Sequence, residues 1–292
     1  MESKKGIYDL IPPEYYPPTL YFASSSSPQN IIARIRHRKL KYPLVGKPDI
    51  GMKGMMVKKL ENEDDVVAYA TNSKVDFLVQ EFVPYQNEVG VFYYRYPNEQ
   101  KGHISGIVKK EFLSVKGDGL TTVEQLILKN KRAILQLATL RKVEKDKMNI
   151  VLNDCEELIL VPYGNHVRGA KFLDDSRLID EELTITIDSI CKRINGFYFG
   201  RLDIRYNSWE ELKQGKHFSI IELNGSGSEP THIYDPKHSI FWAWKEIMKH
   251  WKILYQISKL NHQLQKTPYM TTRMGLEMFK QNSEYIKLLN SN

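Results

Sequence analysis

The 292-residue sequence predicts an α+β protein built from two unequal lobes. Three observations carry that expectation. Residues 27–82 alternate helix, strand, loop, strand, helix and strand, whereas from residue 88 the pattern turns largely to strands. Two segments near residues 203 and 222 alternate polar and apolar side chains with the period of a half-buried strand.

Each element has a local reason. Residues 7–22 are rich in Pro and Tyr (IPPEYYPPTLYF), which allows a short helix followed by extended chain. Residues 1–26 are therefore expected to be an adaptor. Ser27 as N-cap and Pro28 at the first helical position open a helix to about Lys41. Strands are expected over 42–48, 55–60 and 77–82, with a glycine turn over 51–54 and a helix over 63–71 that starts under acidic residues. These elements form a small central lobe, residues 27–87.

Residues 88–262 form the larger C-terminal lobe. VGVFYYRY and HISGIVKKEFLSV read as long strands, 121–147 as a basic helix, 158–163 and 169–172 as strands, and 180–194 as a helix. Strands over 198–206 and 217–224 follow. A long aromatic helix is expected over 234–260, its stripe of Trp242, Trp244, Ile247, Met248, Trp251, Leu254 and Ile257 facing the core. Residues 263–292 form a polar helical tail. No internal repeat is present.

Composition excludes several classes. Lys and Arg number 42 against 35 Asp and Glu, a net charge of +7 that favours anionic partners without naming one. The two cysteines, Cys155 and Cys191, support neither a disulfide framework nor a thiolate metal site. No run of about 18 apolar residues and no leader is seen. The cytoplasm is the expected location. The Lys- and Arg-rich stretch 130–147 lacks interleaved aromatics, so nucleic acid is not an expected partner. Lys245, Lys249, Lys252 and Lys259 leave peripheral membrane contact open, and a homodimer is also open. His166 and His232 read as structural histidines.

Two constellations carry chemistry. In YPLVGKPDIGMKGMMV a strand delivers Lys47 into a turn with glycines at 51 and 54, where free backbone N–H groups and an ammonium suit phosphate oxygens. A plain hairpin has the same signature. In FGRLDIRY, Arg201, Asp203 and Arg205 share a strand face, and in FSIIELNG Glu222 and Asn224 do the same. A hairpin extension over WEELKQGK sets Asp203 opposite Glu222 and Asn224, giving hard oxygen ligands for Mg²⁺. The alternative is a cross-strand salt bridge, Arg201 with Glu222. The alternation on both strands and the following NGSGSEP favour the metal.

With these residues in view, the sequence resembles the ATP-grasp superfamily, especially carboxylate–amine ligases of the D-alanine–D-alanine ligase kind. The resemblance runs from about Lys4 to Trp251 and lies in PLVGKPDIGMKGMMV, FLVQEFVPYQNEVGV, and GRLDIR followed by IIELNGSGSEP. It implies an ATP-grasp fold, two α+β lobes clasping ATP, here without an obvious N-terminal Rossmann-like domain. Lys47 and Lys4, with Lys5 the competing choice, would contact phosphates, and residues 51–54, including Gly51, Lys53 and Gly54, would form the flap over them. The hinge Glu81-Phe82-Val83 would read adenine through the Glu81 carbonyl and the Val83 N–H. Glu88 would take the ribose hydroxyls. Asp203, Glu222 and Asn224 match the metal ligands, Mg²⁺ with Mn²⁺ able to substitute. Arg201 matches the arginine that stabilises the tetrahedral oxyanion, and Arg168 lies on the segment that reaches the phosphates.

The implied activity is ATP-dependent amide or peptide bond formation through an acyl phosphate, with small-molecule or peptide carboxylates and amines as substrates. A kinase-like phosphotransferase and a non-catalytic ATP-binding or membrane-peripheral module are the alternatives. The chain departs from the D-alanine enzymes after Asn224, where residues 225–235 lack their Thr-Ser-Pro-Gly turn. VKGDGLTTVEQLI instead looks like the GDG-T-ELI pattern of ligases that add amino acids to peptides or polymers.

Overall fold

The computed structural model describes residues 2–51 and 54–290. The chain opens with α1 (Lys4–Tyr8), whose first turn is capped by Ser3, and passes through a Pro-rich segment into β1 (Thr19–Phe22). Then come α2 (Pro28–His37), β2 (Leu44–Pro48), β3 (Lys58–Leu60), α3 (Glu63–Asn72) and β4 (Phe77–Glu81). The four strands form one antiparallel sheet in the order β1-β4-β2-β3. Ser27 accepts from the Asn30 N–H and Asn62 from the Asp65 N–H, so both helices start at side-chain caps. Ile31 and Ile35 of α2, with Tyr69 of α3, cover Phe22, Leu44 and Phe77 to make the small-lobe core.

The large lobe carries β5 (Asn87–Tyr94), β6 (His103–Glu111), β7 (Leu113–Lys116), α4 (Val123–Lys129), α5 (Leu137–Val143), β8 (Glu157–Val161) and β9 (Lys171–Asp174). It continues through α6 (Glu181–Lys192), β10 (Phe199–Tyr206), α7 (Trp209–Lys213), β11 (Phe218–Asn224) and α8 (Ile240–Gln265), and α9 (Thr272–Asn290) closes the chain. Five strands make an antiparallel sheet ordered β11-β10-β5-β6-β9. Its two faces are sorted by parity along the strands. Val89, Val91, Tyr93, Leu202 and Ile204 pack under α6, against Leu183, Ile187 and Ile190. Phe92 and Phe199 point the other way, onto Ile253 and Ile257 of α8. The rest of that second face bears Glu88, Gly90, Arg201, Asp203 and Arg205. One end of the face is thus roofed by a helix, and the other end opens into the site.

Several expectations are corrected. Within the segment expected to be an adaptor, β1 is an edge strand of the small-lobe sheet, and Tyr8 and Ile11 pack into the large-lobe core. The basic helix expected over 121–147 breaks after α4, because the Asn130 side chain accepts from the N–H groups of Arg132 and Ala133 and starts a new turn. HISGIVKKEFLSV is two strands in two sheets, β7 pairing with β8 over a separate core of Leu113, Val115, Val123, Ile127 and Leu160. The long helix begins at Ile240, capped by Ser239 after Pro236, rather than at residue 234. Its face toward the sheet is Ala243, His250, Ile253 and Ile257, so Trp244, Met248 and Trp251 stand 57–63% exposed instead of in the core. Among the described residues no helix is long and apolar enough to cross a membrane.

Candidate active site

Between the lobes lies a cavity of about 430 Å³, lined from the small lobe by Lys4, Lys47, Gly51, Gly54 and residues 80–83, and from the large lobe by Glu88, Lys110, Arg201, Asp203, Arg205, Glu222 and Asn224. Lys53 lies outside the described residues.

β2 delivers Lys47 into the floor, where its side chain is 7% exposed. The ammonium donates to Tyr8 Oη at 2.8 Å and Gln80 Oε1 at 2.9 Å, and Tyr8 Oη donates onward to the Ile221 carbonyl at 2.5 Å. Burial pulls its pKa down to about 8, with Glu222 pulling weakly the other way. Lys4 donates to the carbonyls of Asp49 and Gly51 at 3.4 and 3.3 Å, and burial, reinforced by Lys47, lowers its pKa as well. Lys5 instead turns outward and pairs with Asp9 at 2.5 Å. Of the two lysines, Lys4 is the one on the cavity wall.

At the opposite wall, the Phe82 N–H donates to the Pro43 carbonyl, and the Val83 carbonyl accepts from Arg205 Nη1 at 3.0 Å. Glu81 points its carboxylate away, accepting from the Lys41 N–H at 2.8 Å. Glu88 is 3% exposed, and its carboxylate is already engaged, with Lys110 Nζ at 2.9 Å, Arg205 Nε at 3.4 Å and the Gly164 N–H at 3.3 Å.

Strand pairing sets Asp203 directly across from Glu222 and Arg201 across from Asn224, with a bulge between Asp203 and Ile204. Asp203 is 2% exposed and held by Arg201 Nε at 2.9 Å and Nη2 at 3.2 Å, Lys110 Nζ at 3.1 Å and Asn224 Nδ2 at 3.4 Å. Burial opposes its charge, yet Arg201 and Lys110 outweigh it and hold the carboxyl at about 2. Arg201 therefore pairs with Asp203, not with Glu222. Glu222 is exposed to the cavity. Gly90 is the register partner of Asp203, and a Cβ there would meet Asp203 Oδ1 at 3.1 Å and Val108 Cγ1 at 2.7 Å. The missing side chain is what lets the carboxylate lie flat on the sheet.

No family description and no curated protein matches the chain. Among solved structures, the chain is similar to a bifunctional glutathione synthetase from Pasteurella multocida (15% identity over 86% of this chain and 35% of that one, TM-score 0.45). It is also similar to the D-alanine–D-alanine ligase from Bacillus anthracis (12%, 90% and 68%, TM-score 0.47) and the VanG D-Ala:D-Ser ligase from Enterococcus faecalis (16%, 88% and 60%, TM-score 0.45). The chain thus spans between about a third and two thirds of the length of these proteins.

Arg168 is not on the cavity wall. Its Nη2 donates to the Gly54 carbonyl at 3.1 Å, so it ties the turn of the small lobe to the large lobe at the cavity edge. Gly54 has a left-handed φ of +68°, and a Cβ there would approach Asn165 Nδ2 to 2.8 Å. His166, read from sequence as structural, does line the cavity and stacks on Tyr234. His232 is buried under α8, on the same sheet face as the site, beside Trp242 and His250.

Sequence reasoning missed Lys110, Arg205, Gln80 and Tyr8. Arg205 was in view, two positions from Asp203 on the same face, but its partner Glu88 is 117 residues away. Lys110 carried a fainter signal, as one of two adjacent lysines in a strand otherwise nearly free of charge. Among the described residues no three of His, Cys, Asp or Glu cluster as a metal site, so the candidate ligands remain two carboxylates and one amide.

Proposed function

We propose that this chain is an ATP-grasp ligase that joins a carboxylate to an amine with conversion of ATP to ADP and phosphate. The observation supporting it is the convergence on one cavity of two phosphate-suited lysines and a glycine turn from one lobe with three hard-oxygen side chains from the other. Backbone groups of residues 81–83 make the remaining wall.

On this reading the substrate carboxylate oxygen attacks the γ-phosphorus as the bond to the β-phosphate oxygen breaks, giving an acyl phosphate and ADP. An amine then attacks the carbonyl carbon, phosphate leaves and the amine proton is released. Lys4 and Lys47 neutralise phosphate charge and fix its position, which is most of what such a transfer asks of a protein. Arg201, on the same face as Asp203, donates to negative charge growing on the carbonyl oxygen. The Val83 N–H and the Glu81 carbonyl supply an adenine edge reading.

The donor set fits Mg²⁺: Asp203 stays ionised, Glu222 faces the cavity, and Asn224 adds an amide oxygen. A bound ion would neutralise β- and γ-phosphate charge. Asp203 already takes four hydrogen bonds, so metal binding has to displace one of them, and Asn224 at 3.4 Å is the weakest held.

The test is ADP and phosphate release with Mg·ATP across a panel of amino acids, dipeptides and polyamines, with product mass measured alongside. Equal ADP and phosphate, dependent on both an acid and an amine, is the expected result. A stable phosphorylated product would point to a kinase instead, and absence of Mg·ATP binding would remove the reading altogether.

A further inference from the structure

Helix α8 leaves a broad apolar face uncovered. Phe241, Trp244, Met248, Trp251 and Tyr255 recur every three or four positions, fall within an arc of about 80° around the helix and stand 57–73% exposed. Phe241 and Trp244 meet edge to face, their ring centroids 5.7 Å apart. The stripe runs about 21 Å along a single helix, so one flat surface can meet every member at once.

The charge beside the stripe is of one sign. Lys245, Lys249, Lys252 and Lys259 are exposed and fill the adjoining arc of about 80°. Glu246, the one acidic residue of α8, lies past them toward the sheet, its carboxylate 2.9 Å from Lys249 Nζ, 3.5 Å from His250 Nδ1 and 3.7 Å from His232 Nε2. The stripe therefore has no negative charge from its own helix. A second copy docked through the same face would set lysines against lysines. Aromatic rings edged by lysines instead match an anionic bilayer, where Trp and Tyr settle at headgroup depth and a basic flank meets lipid charge. The apolar lysine stems let the ammonium groups stay at the level of the phosphates while the rings go deeper.

We propose that α8 docks the protein on an anionic phospholipid membrane, lying in the plane of the interface with its aromatic stripe among the headgroups and its lysines on lipid phosphates and carboxylates. The helix lies on the bilayer without crossing it. The proposal does not depend on the ligase reading, because none of these side chains lines the interlobe cavity.

Co-sedimentation of the full chain with vesicles of mixed phosphatidylcholine and phosphatidylserine, against phosphatidylcholine alone, tests it. The mixed vesicles should bind at least tenfold more protein, high salt should release most of it, and brominated lipid should quench tryptophan fluorescence. Trp244→Glu with Trp251→Glu changes exposed positions and should abolish binding and quenching with the melting temperature unchanged. Lys252→Glu with Lys259→Glu should weaken binding about tenfold or more while both tryptophans remain. Equal or absent binding to the two vesicle types, or binding that neither double variant alters, would overturn the proposal. So would a dimer in sedimentation velocity that Trp251→Glu dissociates, which assigns the face to a second copy, or binding to polyglutamate without binding to vesicles, which assigns it to an acidic protein.

Discussion

Lys110 sets its ammonium 3.1 Å from Asp203 Oδ1 while also lying 2.9 Å from Glu88 Oε1, so one buried cation joins two carboxylates drawn from different strands. All three side chains are at most 4% exposed. Burial alone would discharge the lysine, but Asp203 and Glu88 overcome it and raise its pKa.

Lys110→Met should therefore be costly, because it leaves two carboxylates buried beside each other with Arg201 and Arg205 as the remaining cations to answer them. The expected loss is about 3–5 kcal/mol, the scale of breaking a buried pair from one side. Urea denaturation measures it. Adding Glu88→Gln should recover part of the loss, and full stability in the single variant would contradict the network.

Lys47 yields a pH dependence. Its folded pKa of about 8 lies below the ordinary 10.5, so between those values the unfolded chain holds more protons and stability rises with pH. Phosphate binding should reverse the preference and draw a proton in. At pH 8.5, calorimetry of Mg·ATP binding in buffers of different ionisation enthalpy should register proton uptake, and affinity should fall as pH increases further. Lys47→Met should reduce the uptake, leaving only what Lys4, whose pKa burial also lowers, can supply.

Asp203 and Glu222 should respond differently to neutral replacement, although they face each other across one register position. Glu222→Gln removes an exposed charge and should leave the melting temperature within about a degree while lowering turnover by orders of magnitude. Asp203→Asn strands Arg201 and Lys110, so it should lower both stability and turnover. Thermal melts and ADP release on the same preparations separate the two.

Gly90→Ala tests the close approach behind Asp203. In an ordinary strand alanine is at least as good as glycine. Here the added carbon meets Val108 and Asp203, and overpacking of about 1–3 kcal/mol is expected. A neutral or stabilising effect in denaturant melts would show that the sheet yields at this point.

The α+β class and the Asp203–Glu222 pairing were legible because period-two alternation and a short connection between strands are local properties. Lys4 was legible only through resemblance, and its distinction from Lys5 required the Asp49 and Gly51 carbonyls, which are more than forty residues away. Lys110 and Arg205 became visible only when β5 lay between β6 and β10, since their partner Glu88 belongs to that middle strand. The exposed stripe of α8 misled for a related reason: helical periodicity shows that a face is apolar, not that anything covers it. Asn130 ended a helix by side-chain bonds that composition does not weigh.

The bond from Arg168 to the Gly54 carbonyl ties the two lobes together at the cavity's edge. A molecule that left the cavity past that edge would have to part this bond. Arg168 would accordingly be felt in how long a nucleotide stays rather than in how tightly it is held. Shortening that residence without weakening equilibrium affinity is what distinguishes a latch from a ligand contact.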